Sequence, residues 1–545
     1  MNLLMKKIVF LCTFFSVCHL FSQEDAWVFL KDKPNYAVYL ESPLSILSQR
    51  ALNRRARQNI PLDVKDVPVN ASYCAQLQNA TGITVLATSK WLNAIHIQGA
   101  QTAINELVAT YSFIDEIEYA NKALNAKRKR IKPPTTKHHT DKFANQVSEL
   151  NYGSAETQIT MLKGDYLHEE GYTGEGMQIA VIDAGFPNVD QLDAFERLRT
   201  NHKILGGYDF VNRSTEFYTG HNHGTNVLSA IGGYIEDVFV GTAPDASFYL
   251  FITEDAAKEV PLEESLWVEA AERADSLGVD VINTSLGYTT FDNANYNYSY
   301  SDMDGETTFI SRGAAIGASR GMLLVNSAGN SGNDTWKYMG APADAAAVFS
   351  IGAVNATRAI ATFSSFGPTA DSRIKPDVLA HGQSVFVIDH VLGNPTTSNG
   401  TSFSSPVIAG VLACFWQAFP NLTSTQIMQR IRESADRYDS PDAQYGYGIP
   451  DFKAAYSAVL HTDEAYLMER IAISPNPVAD TVVFTMNTTH SNQLSIQIFS
   501  TLGKKVFEEE NLKSKTVDVS QLPGGVYILT IKSGTYQKTL KLIKK

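Results

Sequence analysis

The sequence predicts an α/β protein: a doubly wound, mostly parallel sheet with an N-terminal α+β unit before it and a C-terminal all-β sandwich behind it. Three observations carry this. From about Asn151 to Val459, apolar runs without polar alternation ("MQIAVID", "ASFYLFIT", "VDVINTSL", "GMLLVNSAG", "VFSIGAVN") alternate with helices, the pattern of strands buried on both faces. From Gln23 to about Ala120, strands and helices mix as in a small α+β domain. From Ile471 onward, short alternating strands are split by turns such as Leu502–Gly503 and Pro523–Gly524–Gly525, which predicts a small sandwich. At 545 residues the chain is too long for one ordinary core.

Taken in order, "MNLLMKK" is a basic start and "IVFLCTFFSVCHLF" a short apolar run before the polar "SQED". Residues 1–22 therefore read as a secretory signal peptide, with cleavage near Ser22–Gln23. In the unit 23–120, "AWVFLKD" and "IDEIEYA" read as strands, and "SPLSILSQRALNRRARQ" as one helix capped by Ser42 ahead of Pro43. "ITVLATSKWLNAIHIQG" reads as two strands turning near Ser89–Lys90. Residues 121–150 are basic, then rich in Pro and Thr, and form an exposed linker open to nicking. Its run Lys127–Arg128–Lys129–Arg130 is either a cleavage site or a solvated stretch.

Residues 151–460 form the central domain. In "LEESLWVEAAERADSLG", Leu262, Leu266, Ala270, Ala274 and Leu277 share one helical face, which Gly278 ends. Thr423 with Gln426 forms a capping box for a later helix. The last unit covers 471–545.

A net charge of −12 argues against a general nucleic-acid binder. Of four cysteines, Cys12 and Cys18 fall in the signal segment; Cys74 and Cys414 are far apart, so no disulfide framework is expected despite export. Beyond the signal segment no stretch is long and apolar enough to cross a bilayer.

Four segments of the central domain carry chemistry. Asp183 in "AVIDAG" closes a strand, where doubly wound sheets place their sites, although alone it would pass for a turn residue. In "HNHGTNVLSAIGG", His223 directly precedes Gly-Thr; His221 is its rival. Asn330 in "VNSAGNSGND" is either a turn residue or an amide aimed at a developing oxyanion. Ser402 in "SNGTSFSSPVIAG" opens a helix, whose unpaired N–H groups and partial positive charge suit an oxyanion; a plain serine cap does not explain the Gly-Thr before it or the Ser-Pro after it.

The order Asp, His, Ser is that of subtilisin. In "AVIDAG", "NHGTNV", "INTSLG", "SAGNSG", "FSSFGP", "IKPDVLAHG" and "GTSFSSP", met in family order, the chain resembles the subtilisin-like serine peptidases. The resemblance implies Ser402 as nucleophile, His223 as general base and then acid, and Asp183 as the group that orients the imidazole. It implies Asn330, with the Ser402 N–H, as oxyanion donor, and Ser285, Leu286 and Gly287 as an edge that pairs with extended substrate. Departures from the usual pattern are Ala184 after the Asp, Asn226 after His-Gly-Thr, Phe403 after the nucleophile and His381 before Gly382. None removes a catalytic group. An esterase on an α/β-hydrolase fold is the wrong order, since its nucleophile precedes its acid and His.

"RALNRRARQNIPLDVKDVPV" and "SKWLNAIHI" resemble the inhibitory propeptide of secreted Bacteroidota subtilases. "SPNP", "STLGKKV", "LPGGVYIL" and "KTLKLIKK" resemble the type IX secretion C-terminal sorting domain. The implied protein is an exported serine endopeptidase made as an inhibited precursor, released or attached to the cell surface. Its expected partners are protein and peptide substrates, its own propeptide and the secretion machinery, with no nucleic acid. The rival is a catalytically inactive surface or adhesion protein on the same fold. No cofactor and no metal are expected: structural calcium is known in the family, yet no loop has convincing ligand spacing. Oligomeric state leaves no mark in the sequence, and a monomer is the expectation.

Overall fold

The computed structural model describes residues 23–125, 150–460, 471–485, 495–510, 516–533 and 536–545. The signal segment 1–22, with Cys12 and Cys18, and most of the linker, with Lys127–Arg130, lie outside the described residues.

The N-terminal unit comprises β1 (Gln23–Leu30), α1 (Gln49–Arg57), α2 (Ala71–Gln78), β2 (Ile83–Ser89), β3 (Ala94–Ala100), α3 (Gln101–Thr110) and β4 (Ile114–Tyr119). Its strands form an antiparallel sheet in the order β2-β3-β1-β4. Alternation along β1 splits its side chains between two cores. Ala26, Val28 and Leu30 pack with Ile104 and Leu107 of α3, while Trp27 joins the core of the central domain and stacks on Phe309 at 4.8 Å between ring centroids. The stretch read as one helix from Ser42 is two pieces. Pro43–Ser45 is a 3₁₀ turn that Ile46 ends by leaving helical geometry, and the Ser42 side chain caps nothing. The cap of α1 is Ser48, whose hydroxyl accepts the Ala51 N–H at 3.1 Å.

The central domain comprises β5 (Gln178–Asp183), β6 (Ile204–Asp209), α4 (His223–Gly232), β7 (Ser247–Ile252), α5 (Pro261–Leu277), β8 (Val281–Thr284), α6 (Phe309–Ser319), β9 (Leu323–Ser327), β10 (Val348–Val354), β11 (Val378–His381), α7 (Thr401–Ala418) and α8 (Ser424–Glu433). Seven of its strands form one sheet in the order β11-β10-β9-β8-β5-β7-β6, every pair parallel. Strand order reverses at β5, the position where such sheets open a crevice at their carboxyl ends. Ile179 and Val181 of β5 face the layer of α4 and α7, and Ala180 and Ile182 face that of α5 and α6. A strand apolar on both faces is what this burial requires. In α7 every residue but Gln417 is buried, so its hydrophobicity runs all round.

Helix α5 buries Leu266, Ala270 and Ala274 and stops at Gly278, whose φ of +92° is left-handed. Thr423 and Gln426 form the capping box of α8. Strands β6 and β11 are additions to the sequence reading: β6 carries Gly206–Gly207 on the sheet edge, and β11 is only four residues long.

The C-terminal unit has β12 (Ala472–Ser474), β13 (Thr481–Thr485), β14 (Ser495–Ser500), β15 (Lys505–Glu509), β16 (Thr516–Asp518), β17 (Gly525–Ser533) and β18 (Tyr536–Lys544). Two antiparallel sheets, β12-β13-β16 and β15-β14-β17-β18, share a core that includes Val482, Phe484, Ile496, Ile498, Leu529 and Leu542. Among the described residues no helix is long and apolar enough to cross a membrane.

Candidate active site

Asp183 is the last residue of β5 and is 2% exposed. Its Oδ1 accepts the Ala184 N–H at 2.8 Å and faces His223 Nδ1 at 2.8 Å; its Oδ2 has no partner among the described residues. Two glycines make the approach of α4 to β5 possible. A Cβ on Gly224 would lie 2.4 Å from Gly185 O and 3.0 Å from Asp183 Cβ, and one on Gly185 would lie 2.4 Å from His221 N. This is the steric reason for Gly after the His and near the Asp.

His223 opens α4 with its side chain 28% exposed. Burial disfavours its imidazolium, but the charge of the Asp183 carboxylate and its hydrogen bond outweigh that and hold the pKa above the ordinary 6.5. The rival His221 is exposed and accepts the His223 N–H on its Nδ1 at 3.3 Å. The His223 ring lies 5.6 Å from that of Phe403, so the imidazole packs beside the residue that follows Ser402.

Ser402 sits in the first turn of α7, and Gly400, with φ +147°, sets the entry angle. Its hydroxyl donates to the Ser285 carbonyl at 3.3 Å and makes no hydrogen bond to His223. In return the Ser285 hydroxyl donates to the Ser402 carbonyl at 2.9 Å. Pro406 explains the second bond. Proline has no N–H, so the carbonyl four residues earlier, that of Ser402, lacks its helical donor; Ser285 supplies one. That gives the Ser-Pro of "TSFSSPV" a physical reason.

Asn330 follows β9 and is exposed. Its Oδ1 accepts both the Thr401 N–H at 2.9 Å and the Thr401 hydroxyl at 3.0 Å, and Thr401 Oγ1 in turn accepts the Gly329 N–H at 3.1 Å. With its oxygen committed to the start of α7, the amide is fixed and Nδ2 makes no hydrogen bond among the described residues. Ser285, Leu286 and Gly287 leave the carboxyl end of β8 beside it. Leu286 O accepts from Asn326 Nδ2 at 3.0 Å, and Tyr288 pairs with Ala341 through bonds of 2.8 and 3.1 Å. Gly287 is exposed. The segments of Asp183, His223, Ser402, Asn330 and Ser285–Gly287 thus converge at the carboxyl end of the sheet.

Two residues were passed over in the sequence. Asn283 Nδ2 donates to Ser285 Oγ at 3.2 Å while its Oδ1 accepts from Ser405 at 2.9 Å, so it ties β8 to α7; Asn326 anchors the 285–287 edge. The available signal was an Asn inside each of two apolar strands, "VINTSL" and "LLVNSAG", since a buried amide needs partners. Among the described residues no three His, Cys, Asp or Glu side chains gather as metal ligands.

Comparison with known proteins agrees with this architecture. Residues 174–448 match the subtilase family, 25–138 the peptidase S8 propeptide domain of Bacteroidota, and 472–545 the secretion system C-terminal sorting domain. The chain is 31% identical to subtilisin NAT of Bacillus subtilis subsp. natto over 302 residues, 54% of this chain and 70% of that protein. It is 28% identical to subtilisin DY of Bacillus licheniformis over 299 residues, 54% of this chain and 97% of that one. Among solved structures, MycP1 with its N-terminal propeptide removed is similar with a TM-score of 0.44 and 24% identity over 55% of this chain and 96% of that one. The sorting domain marks export by type IX secretion, ending in release or attachment at the cell surface. This chain belongs to the subtilase family of serine peptidases, with a propeptide domain ahead of its peptidase domain and a type IX sorting domain behind it.

Proposed function

We propose that the protein is a secreted serine endopeptidase that cleaves peptide bonds through an acyl-enzyme, using Asp183, His223 and Ser402, and that it is made as a propeptide-inhibited precursor. The observation that carries this is the 2.8 Å bond from His223 Nδ1 to the buried Asp183 carboxylate, with the ring held beside Phe403. That bond fixes Nδ1 as the protonated nitrogen and leaves Nε2 as the base. Rotation of the Ser402 side chain away from the Ser285 carbonyl brings its hydroxyl to Nε2, a bond that commonly tightens only when substrate binds. The alkoxide attacks the scissile carbonyl, and Nε2 then passes the proton to the leaving amine. The developing oxyanion takes hydrogen bonds from Asn330 Nδ2 and the Ser402 N–H. Extended substrate pairs along Ser285–Gly287, where the exposed Gly287 leaves the backbone accessible.

On this reading residues 1–22 are removed on export, 23–120 inhibit, 121–150 are cut, 151–460 catalyse and 471–545 direct secretion. Ser402→Ala should abolish both linker processing and casein hydrolysis, with kcat falling on the order of 10⁶-fold. Retained hydrolysis in that variant would refute the assignment.

A further inference from the structure

Besides its contacts along α5 at Ser265, Glu269 and Glu272, the N-terminal unit grips the peptidase domain at the end of the sheet away from Ser402. Helix α5 ends at Leu277, where its unpaired carbonyls and dipole favour cations. Three arginines of α1 converge there. Arg54, with its side chain fully buried, donates to the Asp275 carboxylate and to the Val279 carbonyl. Arg55 reaches the other oxygen of Asp275 at 2.6 Å and Asp66 at 2.7 Å. Arg50 donates to Gly278 O at 3.0 Å, to Gly176 O at 2.9 Å and to Asp280. The Ser48 N–H meets Ser276 O at 2.8 Å, and Gln58 reaches Gly321 O at 2.7 Å. A Cβ on Gly278 would lie 2.8 Å from Ala51 N, so the glycine that ends α5 also admits α1. Gly278, Asp280 and Gly321 all precede the amino ends of β8 and β9, whereas Asp183 and Ser285 lie at or beyond carboxyl ends.

We propose that Asp275, Asp280 and the carbonyls at the end of α5 form an exosite for a helix bearing consecutive arginines. It keeps the propeptide bound after the linker is cut and so sets how long the processed enzyme stays latent. The contacts are independent of the cleft, and their charges are complementary: Asp275 and Asp280 of the peptidase domain meet the guanidiniums of α1, and Arg320 of the peptidase domain meets Asp63 and Asp66 of the N-terminal unit. An Asp275 buried with two guanidiniums tolerates the loss of either poorly. The latency part rests on the proposed peptidase activity; the binding part does not.

The binding part is tested in the full-length Ser402→Ala chain, nicked in the linker with trypsin. Release of the N-terminal fragment is followed by size exclusion after dilution. Arg54→Met with Arg55→Met should speed release about tenfold or more, and unchanged release overturns the exosite. If that double variant does not fold, Arg50→Ala decides. Its arginine is one-third exposed and Asp280 keeps the Gln178 N–H at 2.9 Å, so an acceleration of roughly threefold is expected, and none overturns the proposal. In the chain that retains Ser402, the same variants should shorten the lag before peptide hydrolysis in proportion while linker cutting stays as fast. A lag that ignores a faster release overturns the latency role alone, and a Ser402 chain with no hydrolysis at all indicts the catalytic reading instead.

Discussion

The two ends of β5 invite comparison. Its six residues separate them by roughly 17 Å. At the carboxyl end polar groups are left with capacity to spare: among the described residues Asp183 Oδ2 and Asn330 Nδ2 have no hydrogen-bond partner, and the Ser402 hydroxyl rests on a 3.3 Å bond. At the amino end opposite charges meet across the two units: the Gln178 N–H bonds Asp280, Asp280 meets Arg50, and Asp275 takes two arginines, while Arg54 Nε, Arg55 Nε and Arg55 Nη1 have no hydrogen-bond partner among the described residues. A chemical site needs groups ready to take up new bonds, and a docking site needs opposite charges matched across its boundary. The same sheet supplies both.

Substitutions should separate the two ends, and the largest effect belongs to the carboxyl end. Asp183→Asn should lower kcat by about 10⁴ by presenting the wrong imidazole tautomer. It should also remove the carboxylate that raises the His223 pKa. In the wild type, kcat/KM should fall as pH drops through a midpoint above 6.5, because the base must be neutral. Stability runs the other way: a raised folded pKa contributes most below the unfolded value and is lost as pH rises through the folded one. A pH–rate profile beside a pH–melting curve checks both signs.

Next comes Asn330→Leu, with an expected loss of about 10²–10³ in kcat and little change in KM, the size seen for the equivalent donor in subtilisin. Equal losses in binding and turnover would point instead to damage at Thr401, which the same amide anchors. Gly278→Ala tests the amino end. In the processed enzyme it should cost roughly 1–2 kcal/mol for the left-handed backbone. In the precursor it should cost more, because the added methyl also meets α1, so melting temperatures of the two forms should converge. The smallest effect should come from Phe403→Met, which restores the usual family residue. A swap of similar volume should change stability by less than about 1.5 kcal/mol and leave turnover within roughly tenfold.

Much of the fold was legible because its signals are local. Apolar runs without alternation announce parallel strands, and Gly278 and the Thr423–Gln426 pair punctuate helices without reference to neighbours. What remained hidden is relational. The role of Pro406 depends on Ser285, which lies 117 residues from the Ser402 carbonyl it satisfies. Nothing local to α1 names the partner of its arginines, since Asp275 lies 220 residues from Arg55. Ser42 reads as a cap because Pro43 follows it, and only the geometry of Ile46 shows that the helix starts later, behind Ser48. At the candidate site the motif residues were visible one by one, whereas Asn283 and Asn326 draw their meaning from the strands they join.

Cys74 lies on α2, half-buried, and Cys414 lies fully buried in α7, neither in a disulfide. Burial raises both thiols, Cys414 far more, with the nearby charge of Asp245 adding to it. On the proposed processing the two sulfurs part company when the linker is cut. A maleimide should then label the half-buried Cys74 on the N-terminal fragment more than the fully buried Cys414 on the part that remains, so labelling follows the separation without an engineered tag.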